Sequence, residues 1–599
     1  MKKHVVKKTL KNNLYIIGLI REASPGFILL TVVITLTALV DTFSNTWLSK
    51  VVFDGMAFHT PYIDIVKVVL ILLGLMLISS YVRSYYNQKK SLIEKEKIRT
   101  FIRTKLLKQT RKLDFSCFEN PEFYTKYTRA MAEADERASA ILDSISSVSY
   151  SLFTILTLFA IIITLDPILI IFVICGVVLS FIINTYLGKL RYQYKNERTN
   201  DERGQNYIHR IFYEPQYSQN IKMDTMTDYF INKYKNISKH LILIIKKRAT
   251  KIEILDFLSQ IQNTVLQIVM ILILTYRVYS GLLTIGDYAA LLNSTFSLIF
   301  QLNILFALIP QFYEHALFIE NLKVVMDYKP KIEKDGGIEL KEADVYSIEF
   351  KNVSFKYPGQ DKNVINNISF LLHTNESLAL VGHNGAGKST IVKLMVRLYD
   401  VNEGSILVNG RNIKEYNVFS LRRSFSTVFQ DYQFYAASVA ENILGLEYTT
   451  ELQNIVDYSL KQSGLYEKIY SLPNNIDTQI SKEFDEHGIL LSGGETQKLA
   501  LAKVYAKKSP FVILDEPSSA LDPISEHELN ENMINACKDR AMLLISHRLS
   551  TTKSVDRILL LDHGSILEEG NHEELMKRNG LYKKMFVTQA MNYQLDQNV

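Results

Sequence analysis

At 599 residues the chain is too long for one hydrophobic core, and its apolar residues crowd into the first half while the second half reads as soluble protein. The net charge of +6 is spread beside apolar segments and does not form the basic face of a nucleic-acid binder, so no nucleic-acid partner is expected. Three cysteines, Cys117, Cys175 and Cys537, imply no disulfide framework.

In chain order, a basic opening segment (1–25) precedes an apolar run that begins near Gly26. No small-residue cleavage site follows that run, so it is expected to remain as a helix and not to act as a signal peptide. Six stretches are long and apolar enough to cross a bilayer, near 26–48, 63–83, 145–165, 167–187, 254–277 and 287–312. Asp166-Pro167 breaks the third from the fourth and suits a tight turn. Lys and Arg are dense from Arg83 to Lys112 but sparse around Asp54 to Asp64, Asp166-Pro167 and Tyr276 to Asp287. The positive-inside rule then places the N-terminus and the soluble half in the cytoplasm, with the short connections outside.

No Gly or Pro occurs from Tyr81 to Asn120, which favours helices continuing beyond the membrane. Start signals at Asn120-Pro121-Glu122 and Glu214-Pro215 predict short helices over Asn120 to Lys126 and Glu214 to Lys222. The expected layout is a transmembrane domain over 26–325, a linker over 326–345, a soluble domain over 346–590 and a polar tail over 591–599.

In the soluble half, the buried-strand run Leu378 to Val381 leads into Gly382-His383-Asn384-Gly385-Ala386-Gly387-Lys388-Ser389-Thr390. This is the P-loop pattern in its strand-loop-helix setting: backbone N–H groups cradle phosphates, Lys388 neutralises charge and Ser389 ligates Mg²⁺. A second apolar strand, Phe511 to Leu514, ends in Asp515 and Glu516. Asp515 suits the Mg²⁺ shell and Glu516 the attacking water. A capped or salt-bridged surface is the alternative for such a pair, and its position after a buried strand argues against that.

Leu491-Ser492-Gly493-Gly494-Glu495 resembles the signature motif of ATP-binding cassette (ABC) transporters. Further landmarks of that family stand in order: Tyr357 resembles the adenine-stacking aromatic, Gln430 the Q-loop glutamine that also senses Mg²⁺, Ser519-Ala520-Leu521-Asp522 the D-loop, and His547 the switch histidine. The resemblance covers essentially the whole chain and implies an exporter-type (type IV) half-transporter, with an α-helical six-span transmembrane domain and an α/β P-loop ATPase domain. It also implies a homodimer, or a heterodimer with a second half-transporter, in which ATP lies between one chain's P-loop and its partner's Ser492, Gly493, Gly494 and Glu495. Glu495 stands where Gln is commoner, and Gln497-Lys498 replaces a run that usually contains Arg. With Phe429-Gln430-Asp431-Tyr432, this variant looks more like the peptide and lantibiotic exporter branch. The peptidase domain some of those exporters carry upstream is expected to be absent.

Polar residues recur at helical spacing inside the spans: Asp256, Gln260, Asn263 and Gln267 in the fifth, Asn293, Ser297 and Gln301 in the sixth, and Thr37, Asp41 and Asn45 in the first. They fit the lining of a cavity for an amphipathic solute, such as a peptide. They fit equally well interhelical hydrogen bonds that hold the bundle together. The expected activity is ATP-driven export across a bacterial cytoplasmic membrane. A lipid or multidrug flippase shares every motif, and importers occur on the same fold. A soluble ABC ATPase is opposed by the spans, and a gated channel by intact Glu516 and His547.

Overall fold

Pro25 occupies the first turn of a helix, where its missing N–H costs nothing, and the apolar sequence behind it carries that helix to Ala57. The computed structural model describes residues 3–214, 217–223, 225–341, 345–516 and 532–595. These fall into two units, one of residues 1–111 and 122–328, the other of residues 112–121 and 329–599.

The first unit is helical: α1 (Lys3–Ala23), α2 (Pro25–Ala57), α3 (Tyr62–Tyr85), α4 (Ser91–Thr110), α6 (Pro121–Leu165), α7 (Leu169–Tyr213), α8 (Ser218–Met223), α9 (Met226–Tyr279) and α10 (Ile285–Met326), with α5 (Ser116–Glu119) in the second unit. A π-helical turn over Tyr86–Lys90 joins α3 to α4, so one rod runs from Tyr62 to Thr110. Among the described residues, six helices are long and apolar enough to cross a membrane. Leu70, Ile71, Leu77 and Ile78 of α3 remain exposed, as lipid-facing side chains must.

Leu158 and Ile162 of α6, Leu169 and Val173 of α7, Met270 and Leu274 of α9, and Leu291 and Leu298 of α10 pack as one core. Ion pairs pin the short connections. Asp166, 1% exposed, pairs with Arg277, and Lys50 pairs with Asp287 and, at 3.2 Å, with Asp54. The Asp166 carboxylate also accepts the N–H of Ile168, which makes the expected tight turn.

The helix expected at Asn120 to Lys126 takes a different form. Pro121 opens the 45-residue α6 instead of a short helix, and the short helix is α5, just before it. Asn120 is extended, as the residue before a proline prefers, so the helices on either side cannot merge. The basic opening segment is itself a helix: Asn12 and Asn13 of α1 donate to the Ala316 and Phe312 carbonyls of α10, and Lys8 pairs with Glu320. At the other end, the described part of the expected polar tail, 591–595, ends a helix, Leu581–Leu595. The second short helix, α8, begins at Ser218; Pro215 of its expected start lies outside the described residues.

The second unit holds strands β1 (Ser347–Phe355), β2 (Ile365–His373), β3 (Glu376–Gly382), β4 (Glu403–Val408), β5 (Arg411–Asn412), β6 (Phe425–Val428), β7 (Phe511–Asp515), β8 (Ala541–Ile545), β9 (Arg557–Asp562) and β10 (Ser565–Gly570). An antiparallel sheet has the order β2-β1-β4-β5, and a largely parallel one the order β10-β9-β3-β8-β7-β6. β7 and β8 are buried along their whole length, as parallel strands covered on both faces are. A core containing Phe350, Phe370, Leu380, Phe425 and Phe511 joins the two sheets, and Val381, Leu501, Leu514, Leu544 and Tyr582 belong to a second core.

Residues 112–121 are bound into this unit. Asp114, 2% exposed, accepts the backbone N–H groups of Lys331, Ile332 and Glu333 at 2.8, 3.0 and 3.1 Å. Phe115 packs edge-on against Tyr399, and Glu119 accepts from Tyr399 and from Lys393.

Candidate active site

β3 delivers the chain into the phosphate loop at Gly382, where a side chain would meet the Leu561 carbonyl at 2.2 Å. Gly387, at φ +104, caps the following helix, Lys388–Met395. Only glycine accepts that φ without strain, so the loop can turn its N–H groups inward at the helix N-terminus. The Lys388 ammonium donates to the Gly382 and His383 carbonyls at 2.8 and 3.0 Å. Burial pushes its pKa below the usual lysine range, and Glu516 and Asp515 oppose that shift.

The parallel strands β3, β7 and β8 place their C-terminal ends side by side, at residues 382, 515 and 545. A cavity of about 350 Å³ opens there, lined by Asn384, Gly385, Gly387, Lys388, Ser389, Thr390, Gln430, Asp515, Glu516 and His547, with Val364 and Ile545. Glu516 has φ +52, a left-handed backbone rare for a carboxylate residue, and its N–H is held by the Ile545 carbonyl. Its Oε1 lies 2.9 Å from His547 Nε2, and Gln430 Nε2 donates to its Oε2 at 3.3 Å. Burial and the charge of Lys388 lower the His547 pKa, which favours a neutral imidazole that can donate to Glu516.

Asp515 is 5% exposed; burial, then the neighbouring Glu516, pushes its pKa up to about 6, while Lys388 and a hydrogen bond from Ser389 draw it down. Two adjacent carboxylates faced by one lysine leave an excess of negative charge, and a hard divalent cation beside Ser389 fits that deficit. Tyr357 lies outside the cavity lining, its hydroxyl 3.0 Å from Thr390 Oγ1 and its ring edge-on to Tyr399. Ala386 is buried under the loop. Asp522 and the rest of the D-loop lie outside the described residues.

Ser492 is the N-cap of the signature helix, Gly493–Ala506, in a reciprocal capping box with Glu495. Ser492, Gly493, Gly494 and Glu495 are not among the residues lining the cavity. Sequence reasoning missed the place of Gln497, fully buried, whose side chain reaches the Glu516 carbonyl at 3.5 Å. Its position one turn beyond Gly493 was the only signal.

In the helical unit the polar stripes divide. Asp41 pairs with Arg83, and Gln301 accepts from Ser151, so these two link helices. Asp256 is held by both oxygens to Arg191 at 2.8 and 2.9 Å, and with Gln260, Glu253, Tyr194 and Phe257 it lines a cavity of about 660 Å³. Asn263, Gln267 and Asn293 are half-buried.

Two family models match the chain, ABC transporter transmembrane region over residues 27–302 and ABC transporter over residues 365–519. The subtilin transport ATP-binding protein SpaT of Bacillus subtilis is 33% identical over 516 residues, covering 84% of this chain and 82% of that protein. This chain belongs to the ABC transporter family. An ATP-dependent lipid A-core flippase of Haemophilus influenzae is 37% identical over 325 residues, 54% of each chain. Among solved structures, a bacterial Atm1-family ABC exporter with ATP bound superposes with a TM-score of 0.77 at 21% identity, covering 95% of this chain and 99% of that one. The ABC protein described here is thus a multi-pass membrane half-transporter of exporter type whose second unit binds and hydrolyses ATP.

Proposed function

We propose that this ABC half-transporter pairs with a second copy, or with a related half-transporter, and exports an amphipathic solute with many hydrogen-bonding groups, a peptide in the leading reading. The observation that carries the dimer is the separation of the two half-sites: the P-loop cavity holds Lys388, Ser389, Asp515, Glu516 and His547 but no signature residue. In a dimer, Ser492 and the N–H groups of Gly493 and Gly494 supply the second anion-binding face, and Tyr357 flanks the adenine.

Ser389, Asp515 and Gln430 would hold Mg²⁺, which when bound neutralises phosphate charge. Lys388 leaves the loop carbonyls to meet phosphate oxygens. Glu516, fixed by Gln430 and His547, orients the attacking water and takes up its proton, and His547 stabilises charge on the terminal phosphate. The basic flanks of the spans support a cytoplasmic position for the ATPase unit. The polar and aromatic 660 Å³ cavity at Asp256 and Gln260 supports the amphipathic solute, with Asn263, Gln267 and Asn293 extending the stripe. The subtilin-transport relative favours a peptide, and the flippase relative keeps a lipid as the second reading.

The dimer is tested by mixing. Lys388→Ala and Ser492→Ala homodimers carry a lesion in every site and should be nearly inactive. A hybrid confirmed by differential tags has one intact site and should regain part of the ATPase activity. Confirmed hybrids that stay at background, beside an active hybrid of wild type with Lys388→Ala, would overturn a site shared between chains.

A further inference from the structure

Glu495 divides its carboxylate between two partners. Oε2 accepts the Ser492 N–H and the Ser492 hydroxyl, each at 2.9 Å, while Oε1 faces the Lys468 ammonium at 3.5 Å. Lys468 comes from a separate short helix, Tyr466–Tyr470, anchored by Ile469 in a core with Leu499 and Ala502 of the signature helix.

A carboxylate in the first turn stabilises the isolated helix, because it meets the positive end of the helix dipole. The same charge works against the helix as an anion receptor. It cancels the field that draws phosphate, and it holds the only proton that the Ser492 hydroxyl can donate. An amide at this position would cap the helix without adding charge, so Glu495 needs a nearby cation.

We propose that Lys468 is a positioning residue of the ATPase, holding the Glu495 carboxylate and offsetting its charge so that the Ser492 hydroxyl can turn from Glu495 to the terminal phosphate of ATP. The inference rests on the reading that Ser492 meets ATP across the dimer. When the hydroxyl leaves, Glu495 keeps the Ser492 N–H and Lys468, so the cap survives while the donor is freed. ATP bound in the partner's P-loop is thereby met by a surface without a net negative charge.

The test is a double-mutant cycle in the full-length transporter in lipid, read as ATPase rate against MgATP concentration. Lys468→Ala should raise the KM for ATP roughly three- to tenfold at low salt, with a smaller change in kcat, and the effect should shrink as salt rises. Lys468→Arg should keep the KM near the wild-type value. In a Glu495→Gln background, Lys468→Ala should no longer move the KM, because the charge it offsets is gone. An equal KM increase from Lys468→Ala with and without the Glu495→Gln substitution would overturn the proposal, since Lys468 would then act by packing. So would an unchanged KM for Lys468→Ala while Ser492→Ala abolishes hydrolysis. Normal hydrolysis by Ser492→Ala would instead overturn the underlying reading of the signature motif.

Discussion

His547 Nε2 stands 2.9 Å from Glu516 Oε1 while Gln430 Nε2 donates to Oε2 at 3.3 Å, so Glu516 is gripped by one donor on each oxygen. Glu516→Gln should keep the size of the side chain, but it offers one acceptor oxygen in place of two and cannot take up a proton from water. ATP binding should persist, turnover should fall by about 10²-fold or more, and nucleotide should remain trapped in closed dimers. Near-normal turnover, measured by phosphate release, would remove Glu516 from the catalytic role.

Buried Asp515 makes the stability of the ATPase unit depend on pH. Its pKa is raised by burial, from an ordinary 3.8 to about 6. The nucleotide-free protein therefore loses stability from this group as pH rises through about 6, where the buried acid ionises. Asp515→Asn should stabilise the nucleotide-free transporter at pH 7 to 8 by about 1–3 kcal/mol, with little change near pH 4. The same variant should lose most of the thermal shift given by MgATP. Melting curves across pH, with and without MgATP, check both signs.

The polar stripes should separate by variant. Gln301→Leu removes the partner of Ser151 and should lower thermal stability by about 0.5–2 kcal/mol. Gln260→Leu alters a residue exposed in the Asp256 cavity, and should change which peptides or lipids stimulate hydrolysis without a comparable loss of stability. Equal stability losses with unchanged stimulation would assign both stripes to packing.

Asp114→Ala should destabilise the ATP-hydrolysing unit by about 2–4 kcal/mol, because it leaves the N–H groups of Lys331, Ile332 and Glu333 without their buried acceptor. Hydrogen exchange at residues 331–333 should rise in step. Unchanged exchange there would show that the linker is held by other contacts.

What could be read in advance depended on whether the information was contiguous. The P-loop, the strand run Phe511 to Leu514 with the carboxylates that follow it, and the signature run Leu491 to Glu495 are each short stretches whose pattern is complete within a few residues. The six spans were equally legible, since twenty apolar residues need no partner to be recognised. The fold of α1 was hidden because its lysines read as charge, whereas Asn12 and Asn13 find carbonyls of α10 some 300 residues away. Pro121 marks a helix start in the sequence, but nothing local sets how far that helix runs. The roles of Asp114, and of Lys468 opposite Glu495, exist only after folding, because each is defined by a partner from another segment.

The inclusion of residues 112–121 in the second unit bears on biogenesis. That segment leaves the ribosome over 200 residues before Lys331, Ile332 and Glu333, its hydrogen-bonding partners. Until those residues and Tyr399 are made, Asp114 and Phe115 lack these contacts. Translation of the C-terminal half therefore completes a piece of structure laid down between the second and third spans. A nascent chain stopped before residue 329 should present this loop to proteases, and protection should arrive late, as a single step, once the second unit folds.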